Sequence, residues 1–161
     1  ENIFSNAENV LEVGFGYGNF YDILNEKYPE KEYSCCELDS KLAESAIKKG
    51  IKTFKCSFQE VPEDIKYDAV ISFDVLEHLY DPYEYRDKLL SILNPGGVAV
   101  IQVPTDRSIH FNQPFDGHYH YFSRESLTYL MNPDFENELF YKCERGESAN
   151  GREFLTAWKL K

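Results

Sequence analysis

Three features of the sequence predict an α/β fold with a mainly parallel sheet, helices on both faces and an antiparallel hairpin at its end. Apolar runs of strand length alternate with segments of helical periodicity along most of the chain. A glycine-rich turn joins the first run to the first helix. The tail holds two strand-like segments with a short polar connection, which is typical of an antiparallel pair. Right-handed crossovers between parallel strands distribute the helices over both faces.

Short apolar runs predict the parallel strands, because each run is bounded by glycine, proline or polar residues. The segment 55–66 is polar and is expected to be a loop with at most one helical turn. Residues 94–97, Asn-Pro-Gly-Gly, are expected to form a tight turn before the last parallel strand. The predicted strands are residues 10–13, 33–37, 51–54, 67–73 and 98–103.

Boundary residues place helices after the first and second strands. Helical spacing after the first strand continues up to Pro29, which ends that helix. Asp39 or Ser40 is the predicted N-cap of the second helix, and Gly50 stands at its C′ position.

The third and fourth helices have N-terminal signals of their own. Asp81 is the predicted N-cap of the third helix, Pro82 suits its first position, and Glu84 completes a capping-box-like pattern. Ser123 is the predicted cap of a short fourth helix. The antiparallel pair then occupies residues 136–161.

Length and charge limit the function classes. A chain of 161 residues fits one domain, so we expect residues 1–161 to form a single domain. Lys and Arg number 17 against 28 Asp and Glu, and the net charge of −11 repels a phosphate backbone or an anionic membrane surface. Nucleic acid and membrane are therefore disfavoured as partners, and the sequence gives no signal for an oligomeric state.

The sequence also favours a cytoplasmic location. No run approaches the roughly 18 apolar residues of a membrane span, and the N-terminal segment lacks the basic start and apolar core of a signal peptide. Four cysteines, Cys35, Cys36, Cys56 and Cys143, show no CxxC or zinc-ligand spacing. We expect them to be small, mostly buried thiols in a reducing compartment.

The turn after the first strand and the acid after the second form the first candidate site. Gly14, Gly16 and Gly18 alternate in this turn, and glycine permits both positive φ and close approach of the backbone to a ligand. Glu37 ends the neighbouring strand, where a carboxylate accepts hydrogen bonds from the hydroxyls of a ribose. Together they predict a nucleoside-containing cofactor, against the alternative of a flexible turn and a solvated acid.

The surroundings of the turn favour a cationic cofactor over a dinucleotide. A dinucleotide fingerprint needs a small residue three positions after its second glycine, and Asn19 stands there. Glu12 precedes the turn, and its carboxylate repels a pyrophosphate but suits an amine. A ligand with an ammonium and a sulfonium group therefore fits best, and an NAD-dependent oxidoreductase is the less favoured alternative.

Four blocks of the chain resemble, in order and spacing, the motifs of class I S-adenosylmethionine-dependent methyltransferases. They are VLEVGFGYG at 10–18, CELD at 36–39, YDAVISFDVLEHL at 67–79 and LNPGG at 93–97. The resemblance covers residues 9 to about 130. It implies a Rossmann-like, doubly wound fold with a seven-stranded sheet whose last strand is antiparallel. It also implies S-adenosyl-L-methionine as the cofactor.

The resemblance further implies which residues bind that cofactor. The first turn would line the methionine half, the acid after the second strand would hold the ribose, and residues after the second and third strands would flank the adenine. The end of the fourth strand would close the pocket near the transferred methyl group. In chain order these cofactor-binding residues are Glu12, Gly14, Phe15, Gly16, Gly18, Glu37, Leu38, Ser57, Phe58, Phe73 and Asp74.

Two further expectations come from the resemblance. His78 would fix the loop that enters the helix at Asp81. Only eight residues precede the first strand, where many relatives carry a helical lid. We therefore expect a segment outside this sequence or a partner to complete the acceptor pocket.

The long loop at residues 104–122 holds the candidate general bases, because a hydroxyl acceptor needs a proton acceptor at the strand ends. His110, His118 and His120 are these candidates, and the alternative is that they pack the loop onto the following helix. In an extended backbone Asp116 would share a face with His118 and His120. A metal site there is the weakest interpretation, so we expect no metal.

These observations predict S-adenosylmethionine-dependent methyl transfer to an O, N or C atom of a small-molecule acceptor. A sugar or cell-surface precursor as acceptor rests on the family resemblance alone. The alternative function is a non-catalytic module that binds the cofactor or a partner.

Overall fold

The computed structural model describes residues 5–104, 117–144 and 152–161. Within these ranges the chain forms seven strands, four α-helices and two 3₁₀ turns. The strands are β1 (Asn9–Val13), β2 (Glu32–Cys36), β3 (Lys52–Phe54), β4 (Tyr67–Phe73), β5 (Leu93–Pro104), β6 (Phe135–Glu144) and β7 (Arg152–Leu160). The helices are α1 (Asn19–Lys27), α2 (Ser40–Lys48), α3 (Pro82–Ile92) and α4 (Arg124–Met131), and the 3₁₀ turns cover Phe58–Glu60 and Leu76–His78.

All seven strands form one sheet in the order β3-β2-β1-β4-β5-β7-β6. The first five strands pair in parallel, and β7 lies antiparallel between β5 and β6. This topology confirms the predicted Rossmann-like, doubly wound α/β fold with an antiparallel C-terminal pair.

Helices cover both faces of the sheet, as its alternating side chains require. Neighbouring residues of β1 point to opposite faces. Leu11 lies in a buried cluster with Leu89 of α3 and Leu127 of α4, whereas Val10 lies in another with Leu24 of α1. Among the helices in the described ranges, none is both long and apolar enough to cross a bilayer.

The predicted helix caps are confirmed, with one difference. The side chains of Asp39, Asp81 and Ser123 accept backbone N–H groups in the first turns of α2, α3 and α4. Ser123 forms a reciprocal capping box with Ser126. At α3 the bonds of the described residues include the Asp81 cap but no return bond from Glu84, so the predicted capping-box pattern is not formed there.

The start of β5 differs from the prediction for a tertiary reason. Leu93 already pairs with Tyr67, and the ladder resumes at Val98. Residues between them bulge out of register, and Asn94 donates its side-chain amide to Asp68 Oδ1 at 2.8 Å. The predicted tight turn at residues 94–97 therefore forms a β-bulge within β5, where its pairing with β4 is interrupted.

Candidate active site

From β1 the chain adds strands in one direction of the sheet, through β2 and β3, and from β4 it adds them in the opposite direction. The switch point therefore lies between β1 and β4, and open α/β sheets bind ligands beyond the carboxyl ends of the strands at this point. Interstrand backbone hydrogen bonds continue for one residue past the ends of β1 and β4. The N–H of Gly14 donates to the Cys36 carbonyl at 2.9 Å, and the N–H of Asp74 donates to the Gln102 carbonyl at 3.1 Å. A Cβ on Gly14 would lie 2.9 Å from Val75 Cγ2, so the glycine turn and the segment after β4 touch.

Glu37 is held by the glycine turn itself. Its Oε2 accepts the N–H of Gly16 at 3.0 Å, and its Oε1 accepts the N–H of Asp39 at 2.9 Å. Each carboxylate oxygen has a second lone pair, so the side chain still has acceptor capacity for a ligand. The two motifs that the sequence analysis combined are thus joined by a direct hydrogen bond.

The three glycines of the turn are required for different physical reasons. Gly14, Gly16 and Gly18 all have positive φ, at +78°, +53° and +79°. A Cβ on Gly18 would lie 2.4 Å from the ring of Phe15, so packing inside the protein requires this glycine. A Cβ on Gly16 would meet no described atom within 4 Å, so that side of the turn is open for a ligand.

Glu12 is almost completely buried, at 3% exposure. The hydroxyl of Tyr33 donates to its Oε2. Burial raises the pKa of Glu12 to about 7, the Tyr33 hydrogen bond opposes this rise, and the nearby charge of Glu37 adds to it. A cationic group placed beside Glu12 would favour its ionised form, which agrees with the amine expected there.

Two of the predicted cofactor-binding residues have rings that are buried in the core. Phe15 is 2% exposed and packs in a buried cluster with Cys35 beneath the turn. Phe58 is 4% exposed, and its ring centroid lies 4.9 Å from that of Tyr85. Because both rings belong to the core, neither offers a face to a ligand.

Four other predicted contact residues lie where β2, β3 and β4 end. Leu38 is 74% exposed, and Ser57 is half-buried. The ring of Phe73 is half-buried, with its centroid 5.3 Å from that of Phe20. Asp74 is exposed and has φ of +53°, an uncommon conformation for a residue with a Cβ. Backbone of this kind often accompanies a functional site.

Of the predicted histidines, His118 lies against the 3₁₀ turn that follows β4. Its ring packs edge-on against His78 with 4.5 Å between centroids. His120 points elsewhere, and its Nε2 lies 3.2 Å from the carbonyl of Tyr80. His110 and Asp116 fall outside the described residues.

His78 contacts the segment before α4, whereas the sequence analysis assigned it to the loop that enters the helix at Asp81. The Nδ1 of His78 lies 2.7 Å from the carbonyl of Gly117. The carbonyl of Glu77 accepts the N–H groups of Tyr119 at 2.8 Å and His120 at 3.2 Å. The 3₁₀ turn after β4 therefore positions the segment that carries His118.

Sequence reasoning missed Glu77. Its side chain is 1% exposed, and its Oε1 lies 4.0 Å from the Nε2 of His78. Burial raises its pKa to about 8, the backbone N–H of Glu77 itself opposes this rise, and the charges of Asp74 and Glu153 add to it. The available signal was an acid flanked by Leu76 and a possible ligand, His78, directly after a buried strand.

Solved methyltransferase structures match nearly the whole chain. The 1,6-didemethyltoxoflavin-N1-methyltransferase of Burkholderia thailandensis, crystallised with S-adenosylhomocysteine, has a TM-score of 0.79 at 18% identity and covers 96% of this chain and 71% of that one. The N-methyltransferase NodS of Bradyrhizobium japonicum, also crystallised with S-adenosylhomocysteine, has a TM-score of 0.76 at 16% identity over 96% and 78% of the two chains. These likenesses establish the fold.

Curated relatives are similar over a shorter part. The mitochondrial ubiquinone biosynthesis O-methyltransferase of Dictyostelium discoideum is 29% identical over 109 residues, which are 58% of this chain and 34% of that protein. The trans-aconitate 2-methyltransferase of Escherichia coli is 32% identical over 105 residues, or 62% and 40% of the two. The chain thus matches well under half the length of either relative.

The family of methyltransferase domains matches residues 2–133, which include all four sequence blocks and the first five strands. This chain therefore belongs to the methyltransferase domain family, as its motifs predicted, and its fold is that of S-adenosylmethionine-dependent methyltransferases.

Proposed function

We propose that this chain is an S-adenosylmethionine-dependent methyltransferase domain, formed by residues 1–161, that methylates an O, N or C atom of a small molecule. One observation carries the proposal: Glu37, at the end of β2, is fixed by the Gly16 N–H at 3.0 Å in a chain of the methyltransferase domain family. This bond places a carboxylate, which can accept hydrogen bonds from hydroxyl groups, beside the open side of the glycine turn.

The residues present fit the cofactor. Glu37 has lone pairs left for ribose hydroxyls, and the exposed side chain of Leu38 follows it directly. Glu12, with a pKa near neutrality, provides a carboxyl group for the ammonium group. When bound, the cofactor supplies a methyl group on a sulfonium with a neutral leaving group, so positioning contributes much of the rate.

The acceptor belongs to the end of β4 and the segment before α4. The names of the similar proteins support a small molecule but differ in the acceptor, since one is a trans-aconitate 2-methyltransferase and another a 1,6-didemethyltoxoflavin-N1-methyltransferase. A sugar or cell-surface precursor is the narrower class we propose to test first. His118 is the described histidine that we propose assists removal of the proton of a hydroxyl acceptor, because its ring packs against His78 of the 3₁₀ turn that follows β4.

The described thiols fit the proposed cytoplasmic location. Cys35 and Cys36 are free and buried, and burial raises the pKa of Cys35 to about 11 and that of Cys36 to about 12. Such thiols stay protonated and unreactive in a reducing compartment.

Calorimetric titration with S-adenosylhomocysteine tests the proposal. We expect Glu37→Ala to weaken binding by about 1–3 kcal/mol, because ribose hydroxyls lose their acceptor. Glu32→Ala is the matched control, since it removes an exposed acid from the opposite end of the same strand. NADH should not bind. Unchanged affinity in Glu37→Ala, or binding of NADH in place of S-adenosylhomocysteine, would overturn the assignment.

A further inference from the structure

Glu77, His78 and His118 bring three metal-ligating side chains together at the end of β4. One ligand atom from each lies within 4.8 Å of the other two. The cluster adjoins the glycine turn, since Val75, two residues before Glu77, contacts Gly14. The three side chains come from the 3₁₀ turn after β4 and from the segment before α4, which backbone hydrogen bonds hold together.

The carboxylate of Glu77 needs a partner. Its side chain is 1% exposed, and neither oxygen has a hydrogen-bond partner on another residue in the described part of the chain. Buried carboxyl groups are normally hydrogen-bonded or paired, and a buried acid without either calls for a bound proton or cation. This observation is independent of the presence of histidines nearby.

His78 is oriented as metal-binding histidines are. If its Nδ1–H donates to the Gly117 carbonyl at 2.7 Å, the other nitrogen, Nε2, carries the lone pair. That nitrogen lies 4.0 Å from Glu77 Oε1, on the side of the cluster. A backbone carbonyl that fixes the tautomer in this way is the usual outer partner of a ligating imidazole.

The local field also favours a cation. Asp74 and Glu153 lie close enough to Glu77 for their charges to act on it, so three acidic groups share this end of the sheet. Two imidazoles with a carboxylate suit a first-row transition metal, whereas magnesium and calcium prefer oxygen ligands only.

We propose that Glu77, His78 and His118 bind a divalent transition-metal cation of the Zn²⁺ type. Three protein ligands leave a coordination position for water or for an oxygen of the acceptor. A hydroxyl bound there would release its proton to solvent more readily, with His118 acting through the metal and not as a free base; its oxygen would then bond to the methyl carbon as the sulfur–methyl bond breaks and neutral S-adenosylhomocysteine leaves. This catalytic consequence rests on the function proposed above, whereas the binding site itself does not.

Metal titration of the chelator-treated 161-residue chain tests the site. We expect one equivalent of Zn²⁺ to bind by calorimetry, and Co²⁺ to give visible d–d bands without the intense near-ultraviolet band of a thiolate ligand. Glu77→Gln and His118→Asn should each weaken binding about tenfold or more, because each removes a ligand. His120→Asn is the matched control from the same segment, since His120 bonds to the Tyr80 carbonyl outside the cluster.

Thermal unfolding separates loss of binding from loss of folding. Zn²⁺ should raise the midpoint of the unmodified chain and of His120→Asn, but not that of His118→Asn. Absence of stoichiometric binding, a thiolate band with Co²⁺, or equal affinity in all variants would overturn the proposal. S-adenosylhomocysteine binding is measured on the same samples, so failure of the metal site alone leaves the proposed methyl transfer intact.

Discussion

Gly16 and Gly50 share a backbone conformation but differ in position. Gly16 has φ of +53° in the turn after β1, and Gly50 has φ of +80° after α2. A Cβ at either position would meet no described atom within 4 Å. At both positions, substitution by alanine should therefore lower the free energy of unfolding only by the strain of a positive φ, about 1–2 kcal/mol.

Comparing alanine substitutions at Gly16 and Gly50 separates the effect of the turn on ligand binding from its effect on stability. We expect Gly16→Ala and Gly50→Ala to lose similar stability in urea unfolding, and only Gly16→Ala to weaken S-adenosylhomocysteine binding, by about tenfold or more. The reason is that a new Cβ on Gly16 occupies the open side of the turn. Equal affinities in the two variants would place the cofactor elsewhere.

Site residues were predictable when their role followed from backbone position. Gly16 and Glu37 lie at neighbouring strand ends, so their proximity followed from the parallel sheet. The burial of the Phe15 and Phe58 rings was not predictable, because a sequence does not tell on which side of a turn an aromatic ring packs. Glu77 was missed because the residues that bond to its backbone carbonyl, Tyr119 and His120, lie about 40 residues later in the chain.

At the scale of elements, β7 is held between two strands by buried side chains as well as by its ladders. Thr156 is fully buried, and its hydroxyl donates to the Ile101 carbonyl of β5 at 3.0 Å. The same oxygen accepts the indole N–H of Trp158 at 2.9 Å. Both bonds lie inside the core, so water cannot replace them.

We expect Thr156→Val to destabilise the chain by about 1–3 kcal/mol, because the shape is kept while the indole N–H loses its acceptor. Thr128→Val is the control, since Thr128 donates to the Arg124 carbonyl on the half-exposed surface of α4 and water replaces that bond. It should change the free energy of unfolding by less than about 0.5 kcal/mol. Urea unfolding measures both, and equal small losses would show that the buried bonds contribute nothing.

Local signals were sufficient for most elements. The predicted bounds of β4 are those observed, and the N-caps Asp81 and Ser123 start α3 and α4. The antiparallel tail was predicted from its short connection, but its place in the sheet was not, because which strand pairs with β5 depends on contacts distant in sequence. The same cause hid the early start of β5 at Leu93.

At the scale of the whole molecule, the stability of this acidic chain depends on pH through a buried carboxyl group. The net charge is −11, yet Glu12 is 3% exposed under the centre of the sheet's carboxyl edge. Its native pKa of about 7 lies above the 4.5 of an unfolded chain, because burial and the charge of Glu37 disfavour the carboxylate more than the Tyr33 hydroxyl favours it. Between these two values the native state holds a proton that the unfolded state has lost.

The free energy of unfolding of the ligand-free chain should therefore fall as pH rises from about 5 to 7, by up to about 1.4 kcal/mol per pH unit from this group. Glu12→Gln keeps an oxygen for the Tyr33 hydroxyl and removes the titration, so its advantage over the unmodified chain should grow with pH across this window. Glu32→Gln, on the exposed end of β2, should keep the original slope. Urea unfolding at several pH values measures these slopes. Parallel curves for Glu12→Gln and the unmodified chain would mean that Glu12 is ionised in the native state, with a cationic or hydrogen-bonding partner already beside it.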